Sequence, residues 1–264
     1  MPAKDIFHEL NEFVVAALIF LILLGAGEIG YLLARRRHAG RKNEIAAQTH
    51  EHLNEIQTAI FAVLGLLLAF TFAMAVSRYD ARKQALVDET NAIGTAYLRI
   101  QLLPPGQQAA AAAVFRTYVD ARLSSARPYW YLDVKLKNET SELQEQLWKQ
   151  GIDAANQDPH AVTTDLYIQS LNEMFDAQSA RDAARLNELP TSAILLLVAI
   201  SFLSVGILGY RAGLGGRRSL VGAVLLALVI TLVVGIIIDL DQPYQGHITI
   251  SQQSLIELRQ SMGP

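Results

Sequence analysis

Four stretches of this chain stay apolar long enough to cross a bilayer: Phe13 to Ala34, Ala59 to Val76, Thr191 to Tyr210 and Leu220 to Ile238. A spanning helix needs about 20 mostly apolar residues. In hydrocarbon each backbone N–H and C=O must be satisfied within the protein, which a single helix achieves alone. The second stretch is the shortest, and reaches span length by drawing in Ile56 to Thr58 or residues after Val76. The pattern predicts an all-α membrane protein with four transmembrane helices in two hairpins. A helical soluble domain is inserted between helices two and three. The expected boundaries are a first hairpin at 1–77 (helices about 13–34 and 56–77), the soluble domain at 78–188, a second hairpin at 189–240 (helices about 191–210 and 220–238) and a C-terminal tail at 241–264.

The flanks of the first stretch are wrong for a cleaved signal peptide, which begins basic and ends in small residues. Asp5, Glu9 and Glu12 precede it, with Lys4 the one basic residue there, and arginines follow it. It reads as a retained helix. The absence of cysteine excludes disulfides, thiolate catalysis and cysteine metal sites. The net charge is −3 and no basic block lies outside the short loops, so nucleic acid is not an expected partner.

Residues 78 to 188 carry helical periodicity. Leu86, Thr90, Ile93, Tyr97 and Ile100 recur at steps of four and three, one face of a helix. Pro104-Pro105 ends it. Further helices are expected at Gln107 to about Arg127, Ser141 to about Asn156, with Ser141 and Gln144 as a capping box, and Thr163 to Leu189, with Ile168, Leu171 and Phe175 on one face. Pro190 suits the first turn of the helix that follows. The only strand-like run outside the apolar spans is the short "HITIS" at 247 to 251. No linker-like composition appears at "AVSRYDARKQ", residues 75 to 84, so membrane helix two is expected to run on into the soluble domain. The last soluble helix is likewise expected to continue into membrane helix three.

Helix one ends "GEIGYLLARRR" and helix three ends "GILGYRAGLGGRR". Both hold Gly-x-x-Gly-Tyr followed by arginines: Gly27, Gly30 and Tyr31, then Gly206, Gly209 and Tyr210. Small residues let membrane helices approach closely. The loops after both helices are basic and free of acids, which places them in the cytoplasm by the positive-inside rule. The domain 78–188 then lies on the other side. Arg78, Arg82, Lys83, Arg181 and Arg185 near the opposite membrane ends weaken that asymmetry.

Signatures of enzymes are missing: no phosphate loop, no metalloprotease histidine pair and no nucleophile elbow, so no catalytic residue, cofactor or metal is expected. The cluster "HEHLNE", His50 to Glu55, puts His52 and Glu55 on one face but turns His50 elsewhere, the arrangement of a solvated helix start. Glu28 is an intramembrane carboxylate, two turns before Arg35. It reads either as an ion-path or proton-binding residue or as a structural partner of an arginine. Asp239 and Asp241 close helix four, where they can bind a cation, receive arginines or simply mark the interface. Glu28 lies toward the arginine-loop side and the aspartates toward the other, so convergence in one catalytic or transport site is not expected. Ala62, Leu66 and Phe70 form a line along helix two, suited either to packing or to gating a pore by dewetting.

Two segments together carry a resemblance. "AFTFAMAVSRY" resembles the pore helix of the bestrophin anion channels, in which a constricting phenylalanine precedes by eight residues an arginine followed by an aromatic; here these are Phe70, Arg78 and Tyr79. "DQPYQG" resembles the bestrophin exit of helix four, with Asp241, Gln242, Pro243, Tyr244 and Gly246. The whole chain looks closest to a bacterial bestrophin-like membrane family. The resemblance implies a multi-pass protein of the bacterial inner membrane and a homopentamer with one axial pore. Helix two lines that pore, and Ala62, Leu66 and Phe70 form its constriction. It also implies small anions, chloride among them, as the conducted partners, and a cytoplasmic soluble domain, against the arginine loops. Ala62 and Leu66 stand where the family has bulkier residues, and the acidic calcium clasp of animal bestrophins is absent. The alternative is a membrane-anchored sensor or scaffold that binds a ligand or partner through the 78–188 bundle. A pocket with convergent polar groups in that bundle would favour it.

Overall fold

The computed structural model describes residues 12–38, 44–125, 134–157, 162–216, 220–242 and 247–263, with the side chains of residues 12, 38 and 44–50 outside the description. The elements are α1 (Glu12–His38), α2 (Glu44–Arg99), a 3-10 turn (Ile100–Leu102), α3 (Pro105–Ser124), α4 (Val134–Gln157), α5 (Val162–Leu186), α6 (Thr191–Leu214), α7 (Leu220–Asp241) and α8 (Gln253–Ser261). The architecture is all-α, with four candidate membrane spans among the described residues: in α1, in α2, in α6 and in α7. Residues 247 to 251 form no strand.

Helix α2 runs 56 residues without a break. Nothing between the apolar run and Arg99 removes a backbone N–H or forces a positive φ, so the ladder continues. Its end is local: the 3-10 turn tightens the last carbonyls, and Pro105 opens α3 at a position where no N–H is needed. The expected continuation of α5 into α6 does not hold. The helix stops at Leu186, and Pro190 caps the next one. Proline disfavours helical backbone at the residue before it, which is Leu189. The expected start of the third soluble helix is corrected as well. Ser141 lies inside α4, seven residues past its start, and Gln144 donates to Gln178 Oε1 at 3.0 Å rather than capping.

The chain divides into two compact units: Met1–Ser77 with Leu189–Asp241, and Arg78–Glu188 with Gln242–Pro264. Residues expected as a tail therefore pack into the second unit. Leu255 of α8 is fully buried, Tyr97 Oη donates to the Met262 carbonyl at 3.2 Å, and Arg259 pairs with Asp120 at 2.8 Å.

The first unit is built on a seam between α1 and α6. A Cβ on Gly30 would fall 2.0 Å from the Gly206 carbonyl oxygen, and one on Gly209 would fall 1.9 Å from that of Gly27. The two Gly-x-x-Gly-Tyr motifs of the sequence thus face each other, residue numbers rising together, as in a parallel pair. In lipid no hydrophobic force joins helices, so close packing across small residues supplies the attraction. Elsewhere the membrane helices leave Leu18, Leu21, Leu32, Leu195, Leu203 and Leu225 exposed. Such a surface suits hydrocarbon, whereas in water it would be an aggregation patch.

The second unit has a water-type core. Phe115, Tyr118, Leu147, Tyr167, Leu171 and Met174 are fully buried in it, and the wholly apolar ones among them each contribute about 1.5–3 kcal/mol by removal from water. The buried face of α5 is centred on Tyr167, Leu171 and Met174, and Ile168 and Phe175 flank it half-buried.

Candidate functional site

The membrane part of α2 has two unlike faces. Gln57, Leu64, Thr71 and Ala75 are buried within the chain, at spacings close to whole helical turns. Ala62, Leu66 and Phe70 lie on the other side and are exposed, Leu66 to 55% and Phe70 to 60%. The line drawn from sequence therefore faces largely away from the rest of its own chain. Thr71 is satisfied within its own helix, donating to the Leu67 carbonyl at 2.7 Å. Gln57 is satisfied by another helix: Arg211 Nη1 of α6 donates to its Oε1.

The other residues singled out from sequence are placed as follows. Glu28 is half-buried and already engaged by other groups. It lines a cavity of about 340 Å³ with Gly27, Tyr31, Gly209, Ala212 and Ala223. Arg35 stacks over the Tyr31 ring at 5.9 Å. Asp241 acts structurally, since both its oxygens accept from the Leu189 N–H at 3.0 Å and hold the chain where it enters α6. Asp239 is buried, and neither aspartate joins Glu28 in the cavity. Pro243, with Tyr244 and Gly246, lies outside the described residues, while Gln242 beside it is buried. In the "HEHLNE" cluster His52 Nδ1 is 3.7 Å from Glu55 on an exposed turn. Among the described residues no three histidine or acidic side chains come together to hold a metal. In the second unit, Arg78 and Tyr79 are half-buried, and Arg78 Nη1 is buried with no hydrogen-bond partner among the described residues.

Sequence reasoning missed the charged centre of the second unit. Glu89 of α2 is completely buried. Its carboxylate accepts from Arg122 Nε of α3 at 2.5 Å and from Arg181 Nη1 of α5. Arg122 continues to Asp182 at 2.9 Å, and Arg181 Nη2 donates to Gln252 Oε1 at 2.6 Å. Burial alone would raise the Glu89 carboxyl, but the two guanidiniums outweigh it and hold it below the ordinary carboxylate range. Burial pushes the Tyr118 and Tyr167 hydroxyls upward. The available signal was the position of Glu89, three residues after Leu86 and four before Ile93, inside the apolar stripe that runs from Leu86 to Ile100.

A model of the bestrophin-like domain matches residues 21–255. No curated protein sequence matches the chain. Among solved structures, a bacterial bestrophin homologue from Klebsiella pneumoniae superposes with a TM-score of 0.69 at 12% identity, over 96% of this chain and 97% of that one. A mutant of that homologue gives 0.70 at 10% identity, over 96% and 97%. A crystal structure described as a membrane protein gives 0.66 at 12% identity, over 92% and 97%. At such identities the superpositions speak for the fold, and the family model, which spans most of the chain, makes this protein a member of the bestrophin-like family.

Proposed function

We propose that this membrane protein is a homo-oligomeric anion channel, pentameric as in bestrophins, with its pore lined by α2 and constricted at Ala62, Leu66 and Phe70. The observation that carries the proposal is the exposed face of α2. Leu66 and Phe70 point away from the chain's own helices, on a helix whose opposite face is filled. A pore lining needs that division, because its lining residues find their neighbours only in other copies. An apolar ring of this kind gates by dewetting. Arg78 supplies positive charge on the same continuous helix, and repeating it in each copy attracts anions. Chloride is the expected permeant ion, and the bacterial inner membrane the expected location.

Two opposing considerations bear on the side of the soluble domain. Family resemblance puts it in the cytoplasm. The arginine loops put it outside. Labelling Lys149→Cys in intact cells with a membrane-impermeant maleimide decides between them, since Lys149 is exposed and the chain has no native cysteine.

The test of the pore is a reversal potential in a planar bilayer under a potassium chloride gradient. The proposal expects it near the chloride equilibrium potential. A value at the potassium potential would refute anion selectivity.

A further inference from the structure

We infer that the hydrogen bond from Arg211 to Gln57 is a positioning contact that holds the rotation of the membrane part of α2 at the end far from Glu89, and so helps decide which side chains line the pore. The inference rests on the pore assignment above.

Apolar packing is only part of what sets that rotation. In lipid it acts through close fit rather than through removal from water, and Leu64 and Ala75 supply it on the buried face. Thr71, the next buried polar residue, bonds to its own helix and is satisfied at any rotation. Gln57 differs. It is 7% exposed, and its carbonyl accepts from a guanidinium on another helix. Turning α2 by one residue's worth, about 100°, carries the amide away from that donor. The buried Gln57 amide and the guanidinium then both lose a charge-assisted hydrogen bond.

The donor is itself fixed. Gly209 and Gly213 stand two residues before and after Arg211, and both are closed against α1. A Cβ on Gly213 would lie 2.6 Å from the Tyr31 carbonyl oxygen, and Gly209 abuts Gly27. Arg211 is just over half a turn from each, so it leaves α6 on the side away from the seam. The α1–α6 pair is thus a frame, and Arg211 is the hook by which the frame holds α2. Gln57 and Leu66 are nine residues apart, two and a half turns. Holding Gln57 inward turns Leu66 outward. This polar contact links the close glycine seam to the exposed apolar line.

The chain has no cysteine, so single cysteines report the pore face directly. Ala62→Cys, Leu66→Cys and Phe70→Cys are each exposed to a charged, water-soluble methanethiosulfonate during chloride conduction, with Leu64→Cys and Ala75→Cys as inward controls. In the otherwise native chain, block is expected at 62, 66 and 70 and not at 64 or 75. In a Gln57→Leu background the modification rate at 64 or 75 should rise about tenfold, the size expected for losing one charge-assisted hydrogen bond. Gln57→Glu, which keeps an acceptor for Arg211, should restore the native pattern. Arg211→Met, which keeps length but has no donor, provides an independent break of the same contact should Gln57→Leu fail to assemble. An unchanged pattern in both broken backgrounds overturns the inference and leaves the pore intact. Absence of block at 62, 66 and 70 in the native background overturns the pore assignment, and the inference with it.

Discussion

Replacing Gly209 with alanine tests the seam on which the membrane unit is built. The added Cβ would sit 1.9 Å from the Gly27 carbonyl oxygen, where ordinary contact begins at 3.4 Å. The obstacle is backbone on a helix, so no rotamer change relieves it, and α1 and α6 must part by about 1.5 Å along the seam. Two effects then compete. Alanine favours a helix over glycine by about 0.8–1 kcal/mol. Overpacking costs about 1–3 kcal/mol, and more where backbone must move. The clash should win, for a net loss of about 1–2 kcal/mol. Gly25→Ala is the matched control: nothing lies within 4 Å of its Cβ, so only the helix-favouring effect remains. The assay is thermal unfolding of both variants in the same detergent, followed by loss of the monodisperse peak on size exclusion. Gly209→Ala should melt below wild type and Gly25→Ala at or above it. Equal melting of the two variants would refute the seam as the source of stability in this unit.

The remaining predictions concern the second unit and the entrance to α6. Glu89→Gln leaves Arg122 and Arg181 buried without their shared carboxylate and should lower the stability of the fold by about 3–5 kcal/mol. Urea titration followed by the fluorescence of Trp148, packed at 6.4 Å from Phe175, measures it. The folded Glu89 carboxyl is held below its ordinary value, so its contribution is complete above the unfolded pKa of about 4.3 and is lost as pH falls toward the folded value. Wild type should therefore lose stability below about pH 4.3 more steeply than Glu89→Gln does. Asp241→Ala removes the acceptor of the Leu189 N–H and should cost about 1–2 kcal/mol, with Asp241→Asn losing less, both read by the same melting assay.

Much of this fold is written locally. Each apolar run is at or near span length, and only the first holds a charge, Glu28, so four spans follow from composition alone, and Pro104-Pro105 marks the end of α2 without knowledge of its partners. The break at Pro190 was also local, but its weight against a continuing helix depends on Asp241, 52 residues away, taking the freed Leu189 N–H. The Glu89 centre was not legible for a related reason. A glutamate three residues from a leucine looks like any solvated charge until Arg122 and Arg181, 33 and 92 residues on, are known to meet it. The repeated Gly-x-x-Gly-Tyr was visible as a repeat, yet that its two copies pack against each other is a tertiary fact. The line Ala62, Leu66 and Phe70 was visible as a line, and what the fold adds is that its own chain leaves it uncovered.

An anion pore lined by α2 is tested by chloride efflux from liposomes holding the purified protein, wild type against Phe70→Ala. Wild type should release chloride, and Phe70→Ala should release it faster or without gating, because removing the ring widens and wets the constriction. No efflux from either protein, beside a bestrophin that conducts under the same conditions, would contradict the pore.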